Sequence, residues 1–344
     1  MSSSGTDIIL PVWNRPGETR ECLAALVEHS DDARLILLDL GSDTETEQLL
    51  HEFAEFLGER AILFRSERAL GFVETVNRGL STASAPLMIA LRASSRVTSG
   101  WLEPLRVASQ KPDAGVLVPC LAPKGGGQSP RKRSEGMPAE ASHGVFSAIG
   151  ITRRLYEKIG GFDCGLDGNV WCLRDYSRRA DLAGFHTLHV EGPPVLFRDE
   201  AVYGSPARRE QLLRDSAAAF SARWGEGQTY SLCLSRNADQ EALARVFAVI
   251  LAGARRDHRF FVLVPSCMYR RIKGVGLHRL HENITLEPFS RFFTSRSVRS
   301  AFARFRVTYP DMKLLSGMEG LLDLDGEVVV PFTEMENHFT AVEV

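Results

Sequence analysis

The chain has 344 residues (38.1 kDa), 44% of them hydrophobic and 24% charged, enough to bury a sizeable core in one large domain or two. A formal net charge of −2 and a pI near 6.5 exclude a globally basic nucleic-acid binder and an acidic disordered chain. No apolar run approaches the ~20 residues that span a bilayer, and the polar start Met1-Ser-Ser-Ser-Gly-Thr6 has neither the charged nor the apolar region of a signal peptide.

Asp7 to Val12 is an apolar strand that ends in Trp13-Asn14-Arg15. Pro16 opens a helix in which Leu23, Leu26 and Val27 keep helical spacing. Arg34 to Asp39 reads as a second, fully buried strand, and the following Leu40-Gly-Ser-Asp43 turn caps the next helix, Glu45 to Leu57. Ala61 to Phe64 is a third strand, Gly71 to Leu80 a helix and Pro86 to Leu91 a fourth strand. This alternation predicts an α/β fold with a parallel sheet, which binds ligands at the carboxyl ends of its strands. Those ends are Trp13–Arg15, Asp39–Ser42, Arg65–Gly71 and Arg92–Arg96.

Residues 121–142 contain Lys124-Gly-Gly-Gly127 and Pro130-Arg-Lys-Arg133 and show no periodicity, so they read as a mobile loop. The loop either closes its four basic residues over a phosphate-bearing ligand or is a solvated excursion. His186-Thr-Leu-His-Val190 reads as another strand. After Trp224-Gly-Glu-Gly227 the alternation restarts: strand Tyr230 to Leu234, helix Gln240 to Ala254, strand Phe260 to Val264, a further strand near Ile284 to Leu286 and a helix near Ser290 to Phe305. The predicted domains are therefore 1–227 and a smaller α/β unit over 228–344.

The six cysteines form no C-x-x-C pair, as expected of reduced thiols in a cytoplasmic protein. His186 and His189, three apart on a strand, face opposite sides and make a poor metal pair. Between Arg255 and Arg306 twelve Lys and Arg face three acids, a net +9, whereas Asp311 to Val344 carries eight acids and one Lys, a net −7. Within the basic block Val298, Phe302 and Phe305 share one helical face. Such a helix either lies on an anionic membrane, which would place the chain at the membrane's inner face, or packs its Phe residues inward. It carries no pattern of a nucleic-acid module.

Several segments resemble, in order, the landmarks of family 2 glycosyltransferases of the GT-A fold. They are Leu10-Pro-Val-Trp-Asn-Arg-Pro16, Leu37-Leu-Asp-Leu-Gly-Ser42, Leu70-Gly-Phe-Val-Glu-Thr-Val-Asn-Arg-Gly79, Thr98-Ser-Gly-Trp-Leu-Glu-Pro104 and Ile159-Gly-Gly-Phe-Asp163, with Arg174-Asp175 standing in the place of Glu-Asp. The resemblance covers the first ~225 residues. It implies a mixed sheet flanked by helices and a nucleotide-sugar donor of the UDP type. The acceptor it implies is a glycan or a lipid-linked molecule. Pro11, Trp13 and Arg15 would then contact the nucleotide, Trp13 as an aromatic wall. Asp39 would accept hydrogen bonds from base or ribose, or cap the helix with Ser42. Asn77 would position the nucleotide or brace its loop. Asp163 would sit on the acceptor side or stabilise its turn. Asp175 would be the general base, or a helix-surface residue paired with Arg178 or Arg179.

The chain departs from the family at the metal. Family members carry an Asp-x-Asp-like motif after the fourth strand that binds Mg²⁺ or Mn²⁺, but no carboxylate lies between Met88 and Leu102. Ser94 and Arg96 stand where acids are expected, and Val195-Leu-Phe-Arg198 lacks the late histidine. Arg92 and Arg96 are expected to offset the diphosphate charge in place of the metal. The alternatives are an inactive relative that binds a nucleotide or glycan, and a scaffold within a glycan-assembly apparatus.

Overall fold

A computed structural model describes residues 5–66, 71–124, 137–167, 170–198, 206–290, 294–322 and 329–340. The chain divides into two compact units, one of residues 1–137 and 143–224, the other of residues 138–142 and 225–344.

The first unit follows the order β1 (Thr6–Val12), α1 (Pro16–His29), β2 (Arg34–Asp39), α2 (Thr44–Leu57), β3 (Ala61–Arg65), α3 (Phe72–Thr82), β4 (Leu87–Leu91), α4 (Leu102–Ser109), β5 (Ala114–Pro123), β6 (Ala148–Thr152), α5 (Arg153–Ile159), α6 (Trp171–Leu182), β7 (His186–Phe197) and α7 (Pro206–Trp224). Its sheet has the strand order β3-β2-β1-β4-β6-β5-β7. The first four strands are parallel, and β6 runs antiparallel to both β4 and β5. The central strands are continuous apolar runs because helices cover both faces. Ile8, Leu10 and Val12 enter one core with Leu23, Leu26 and Trp101, and Ile9 enters the other with Val76, Leu80 and Tyr176. Gly79 lets α3 sit against the sheet: a Cβ there would come within 2.2 Å of the Ile9 side chain.

Residues 121–142 differ from the loop expected of them. Leu121 to Pro123 continue β5 and pair with β7, and residues 125–136 lie outside the described residues. Residues 138–142 belong to the second unit, where Glu140 bridges to His281.

The second unit contains β8 (Thr229–Cys233), α8 (Gln240–Arg255), β9 (Arg259–Pro265), α9 (Ser266–Gly274), β10 (Ile284–Phe289), α10 (Thr294–Thr308), β11 (Lys313–Ser316), β12 (Val329–Pro331) and α11 (Phe332–Thr340). Its sheet is parallel, in the order β10-β9-β8-β11-β12. The stripe of α10 packs inward: Val298, Ala301, Phe302 and Phe305 are buried with Phe261, Leu263, Phe289 and Leu314, and the Phe261 and Phe305 rings stack at 4.3 Å. Of the two readings of that helix the structure has the inward packing, its apolar face being covered by its own sheet. Among the described residues no helix is long and apolar enough to cross a membrane.

Candidate functional site

The parallel strands β1, β2 and β4 end on one edge of the first sheet, and the residues after them build the site. Beyond β1, Asn14 (φ 55°) and Arg15 (φ 58°) are consecutive left-handed residues, a conformation that costs non-glycine side chains energy. Neighbours hold the turn in place. The Asn14 amide donates to Ser42 Oγ at 2.9 Å, Asn14 Oδ1 accepts the Asp43 amide at 2.8 Å, and the Arg15 carbonyl accepts the Thr19 amide at 3.0 Å. The turn places Trp13, 43% exposed, at the surface, and Arg15 pairs with Glu18 at 3.0 Å. Pro11 is instead buried within β1, in register with Leu38, so the nucleotide-contact expectation for it fails.

Asp39 stands at the end of β2, nearly buried. Its carboxylate accepts the Ser42 amide and Arg65 Nη1, both at 2.9 Å, and Arg65 also reaches Glu47 at 2.7 Å. Asp39 does not cap α2, one of the two roles the sequence allows it: Asp43 does, accepting the Thr46 amide at 2.9 Å, while Asp39 braces the turn before it through Ser42 and Arg65.

Three expected site residues lie together around the Gly160–Asp163 turn as its braces. Asn77 and the Phe162 backbone exchange two hydrogen bonds, Phe162 N to Asn77 Oδ1 and Asn77 Nδ2 to Phe162 O, each 2.8 Å. These are the contacts of the bracing role, one of the two read from the sequence. The contact also explains Gly161, where a Cβ would meet Asn77 Oδ1 at 2.4 Å. Asp163 accepts the Gly165 amide at 2.8 Å and Arg223 Nη2 at 2.7 Å. Burial alone would raise its carboxyl, but Arg223 and that amide outweigh it and hold it below the usual range. These contacts are those of the turn-stabilising role, one of the two read for Asp163 from the sequence.

Asp175 has no solvent exposure. It accepts Arg179 Nε at 2.8 Å, Arg223 Nη1 at 2.7 Å and Trp224 Nε1 at 2.9 Å. Arg179 in turn donates to the Ile159 and Gly161 carbonyls. A carboxylate without solvent exposure whose oxygens are taken by two guanidinium groups and an indole is closed to an acceptor hydroxyl, so the expectation of Asp175 as general base is corrected.

The segment after β4 gathers cations. The Arg92 guanidinium lies 4.8 Å over the Phe72 ring and 6.0 Å from that of Phe146. Arg96 is exposed, and its backbone pairs with Leu196, N to O at 2.7 Å and O to N at 2.8 Å. The Lys124 amide donates to the Phe197 carbonyl at 2.7 Å. The ends of β5 and β7 thereby set Lys124 and Arg198 beside Arg96. Glu21 on α1 is hydrogen-bonded to Lys124 Nζ, and that contact, with the nearby charges of Arg198 and Arg96, holds its carboxyl below the usual range. A hard divalent ion requires oxygen ligands, usually several carboxylates. Three cations around one carboxylate do not fit it. Among the described residues no group of three His, Cys, Asp or Glu side chains could hold a metal ion.

Sequence reasoning missed Asp167, the residue before the undescribed pair 168–169. Its carboxyl is pushed up to about 6 by burial, against the lowering effects of a hydrogen bond from the Val73 amide and the charge of Arg92. Gly71, at the N-terminus of α3, leaves room for it: a Cβ there would stand 2.9 Å from Asp167 Oδ2. Nothing local marks this acid, because the elements that surround it are remote in sequence.

No curated protein matches the chain. Among solved structures it is similar in fold to GalNAc-T7 with UDP, GalNAc and Mn²⁺, with a TM-score of 0.52 and 17% identity over 73% of this chain and 51% of that one. It is also similar to the mannosyltransferase PcManGT from Pyrobaculum calidifontis in complex with GDP-Man and Mn²⁺, with a TM-score of 0.47 and 16% identity over 89% of this chain and 81% of that one. Residues 7–201, more than half of the chain, match glycosyl transferase family 2. The chain belongs to that family, and the mixed sheet with its ligand edge is the family's GT-A fold.

Proposed function

We propose that the protein transfers a sugar from a nucleoside-diphosphate sugar to a glycan or lipid-linked acceptor, with guanidinium and ammonium groups in place of a divalent ion. The gathering of Arg96, Lys124 and Arg198 at the strand ends carries this reading, with Arg92 on the same segment. Arginine forks bind diphosphate oxygens bidentately and stabilise the charge that grows on the leaving group. Trp13 and Arg15 would receive the nucleotide, with Asp39 at the base or ribose. All six cysteines are free, which supports a reducing, cytoplasmic setting.

The test is release of nucleoside diphosphate from UDP-GalNAc and GDP-mannose with and without EDTA. Release is expected to persist in EDTA and to fall at least about tenfold in Arg96→Ala, the worth of one charge-assisted contact. Collapse in EDTA would overturn the metal-free half of the proposal. The saturated Asp175 favours a second reading, a relative that binds the nucleotide without turnover. That reading predicts UDP binding with no donor consumed.

A further inference from the structure

With Asp175 saturated, the transfer reaction needs another group to take the acceptor's proton. The carboxylates near the ligand edge can be taken in turn. Asp39 is held by Arg65 and Ser42, Asp163 by Arg223 and Gly165, and Glu21 by Lys124. Asp167 differs from all of them. It takes the Val73 amide, and it stands within the field of Arg92, the arginine of the segment after β4.

We propose that Asp167 is the general base of the transfer, a role that rests on the glycosyl-transfer reading above. The acceptor hydroxyl gives its proton to the Asp167 carboxylate as its oxygen bonds to the anomeric carbon. The bond from that carbon to the diphosphate oxygen breaks, and its electron pair leaves with the nucleoside diphosphate. The position suits the task in two respects. The charge of Arg92, whose guanidinium lies over Phe72, acts on the carboxylate, so charge for the leaving group and a base for the acceptor serve one site. Gly71 offers no side chain to shield the carboxylate, whose Oδ2 lies 2.9 Å from the place its Cβ would take.

Arg92, just after β4, and the Cys172 thiol on α6 interact with Asp167 through charge. Burial pushes that thiol up to about 12, so it stays neutral across the working range. Burial likewise keeps Asp167 more basic than an ordinary carboxylate yet ionised at neutral pH, the compromise a general base needs.

The test uses the full-length chain and water as acceptor, with hydrolysis of UDP-glucose, UDP-GalNAc and GDP-mannose as the readout and UDP and GDP affinity as the control. Asp167→Asn is expected to lose at least about 100-fold in kcat, the usual worth of a general base, while nucleotide affinity stays within twofold. The acidic limb of the wild-type pH–rate profile, centred near 6, is expected to vanish in the variant. Added formate is expected to restore Asp167→Ala at least tenfold, which a residue that merely capped α3 would not allow. Asp167→Asn turnover within threefold of wild type, a persisting acidic limb, or no rescue by formate each overturns the base alone. A wild-type protein that hydrolyses none of the three donors overturns the transfer reading itself.

Discussion

Asp7 and Asp175 are both carboxylates without solvent exposure, and each shows what a buried charge in this chain is for. Asp7, in the first strand, accepts the Arg34 fork at 2.9 and 2.7 Å and the amides of Ser84 and Ala85 at 2.6 and 2.8 Å. It ties β1 to the start of β2 and to the entry of β4. Burial alone would raise its carboxyl, but the Arg34 fork and the two amides outweigh it, so its folded value lies below the usual one. Its stabilisation is therefore fully present above about pH 4, the unfolded value, and is lost as pH falls through the lower folded value. Asp7→Asn is expected to cost about 3–5 kcal/mol in urea unfolding at pH 7, because Arg34 keeps its charge and loses its partner. The variant's melting temperature is expected to fall less steeply than wild type below pH 4, and equal acid slopes would refute the linkage. The roles of such residues were legible only in part. Arg179 lies four residues from Asp175, so that pair was open to helical-spacing arguments. Arg223 and Trp224 lie 48 and 49 residues from Asp175, and Phe162 lies 85 from Asn77. No local pattern encodes contacts of that range.

Helix α10 makes the corresponding point for elements. Its period is plain in the sequence, but an apolar stripe does not say whether a bilayer or a sheet will cover it. The answer lies in β9 and β10, which supply Phe261, Leu263 and Phe289. Phe302→Ala is accordingly expected to destabilise the second unit by about 3–5 kcal/mol through the cavity left behind, measured by urea unfolding. Unchanged stability together with lost binding to anionic vesicles would return the helix to the membrane. The strands divide in the same way. β1, β2, β3 and β4 were readable as bounded apolar runs between amphipathic helices. β5 and β6 were not, because Gly115, Pro119 and Gly150 interrupt them. Gly115 and Gly150 are demanded by close packing, with Phe185 Cβ 2.7 Å and Leu117 Cβ 3.1 Å from where their own Cβ atoms would stand. The antiparallel pairing of β6 with β4 joins segments about sixty residues apart and has no local signature.

At the scale of the whole molecule, the alternation of strand and helix is realised as a mixed sheet in the first unit and a parallel one in the second, and ion pairs of the second unit draw on residues outside its +9 block and −7 tail. Among the described residues Glu336 of the tail pairs with Arg245, outside the block. Arg304 is met by Glu287 of its own block, and Arg255 by Glu140, from the stretch read as a loop. That last pair is bidentate, both contacts 2.6 Å, and partly buried. Around it the Ala139 and Glu140 amides donate to the Arg279 and Leu280 carbonyls, at 2.6 and 3.0 Å, and the Glu282 amide donates to the Glu140 carbonyl at 3.1 Å. Five residues from early in the chain thus complete the second unit. Glu140→Gln keeps the shape and removes the charge, so its cost falls on the second unit, by about 1.5–3 kcal/mol for a charge-assisted bond. The four tryptophans, at 13, 101, 171 and 224, all belong to the first unit. Tryptophan fluorescence therefore follows that unit, whereas far-UV circular dichroism follows both. Glu140→Gln is expected to move the circular-dichroism transition to lower urea and leave the tryptophan transition in place. If both transitions move together, the two units unfold as one cooperative body, and residues 138–142 stabilise the whole chain.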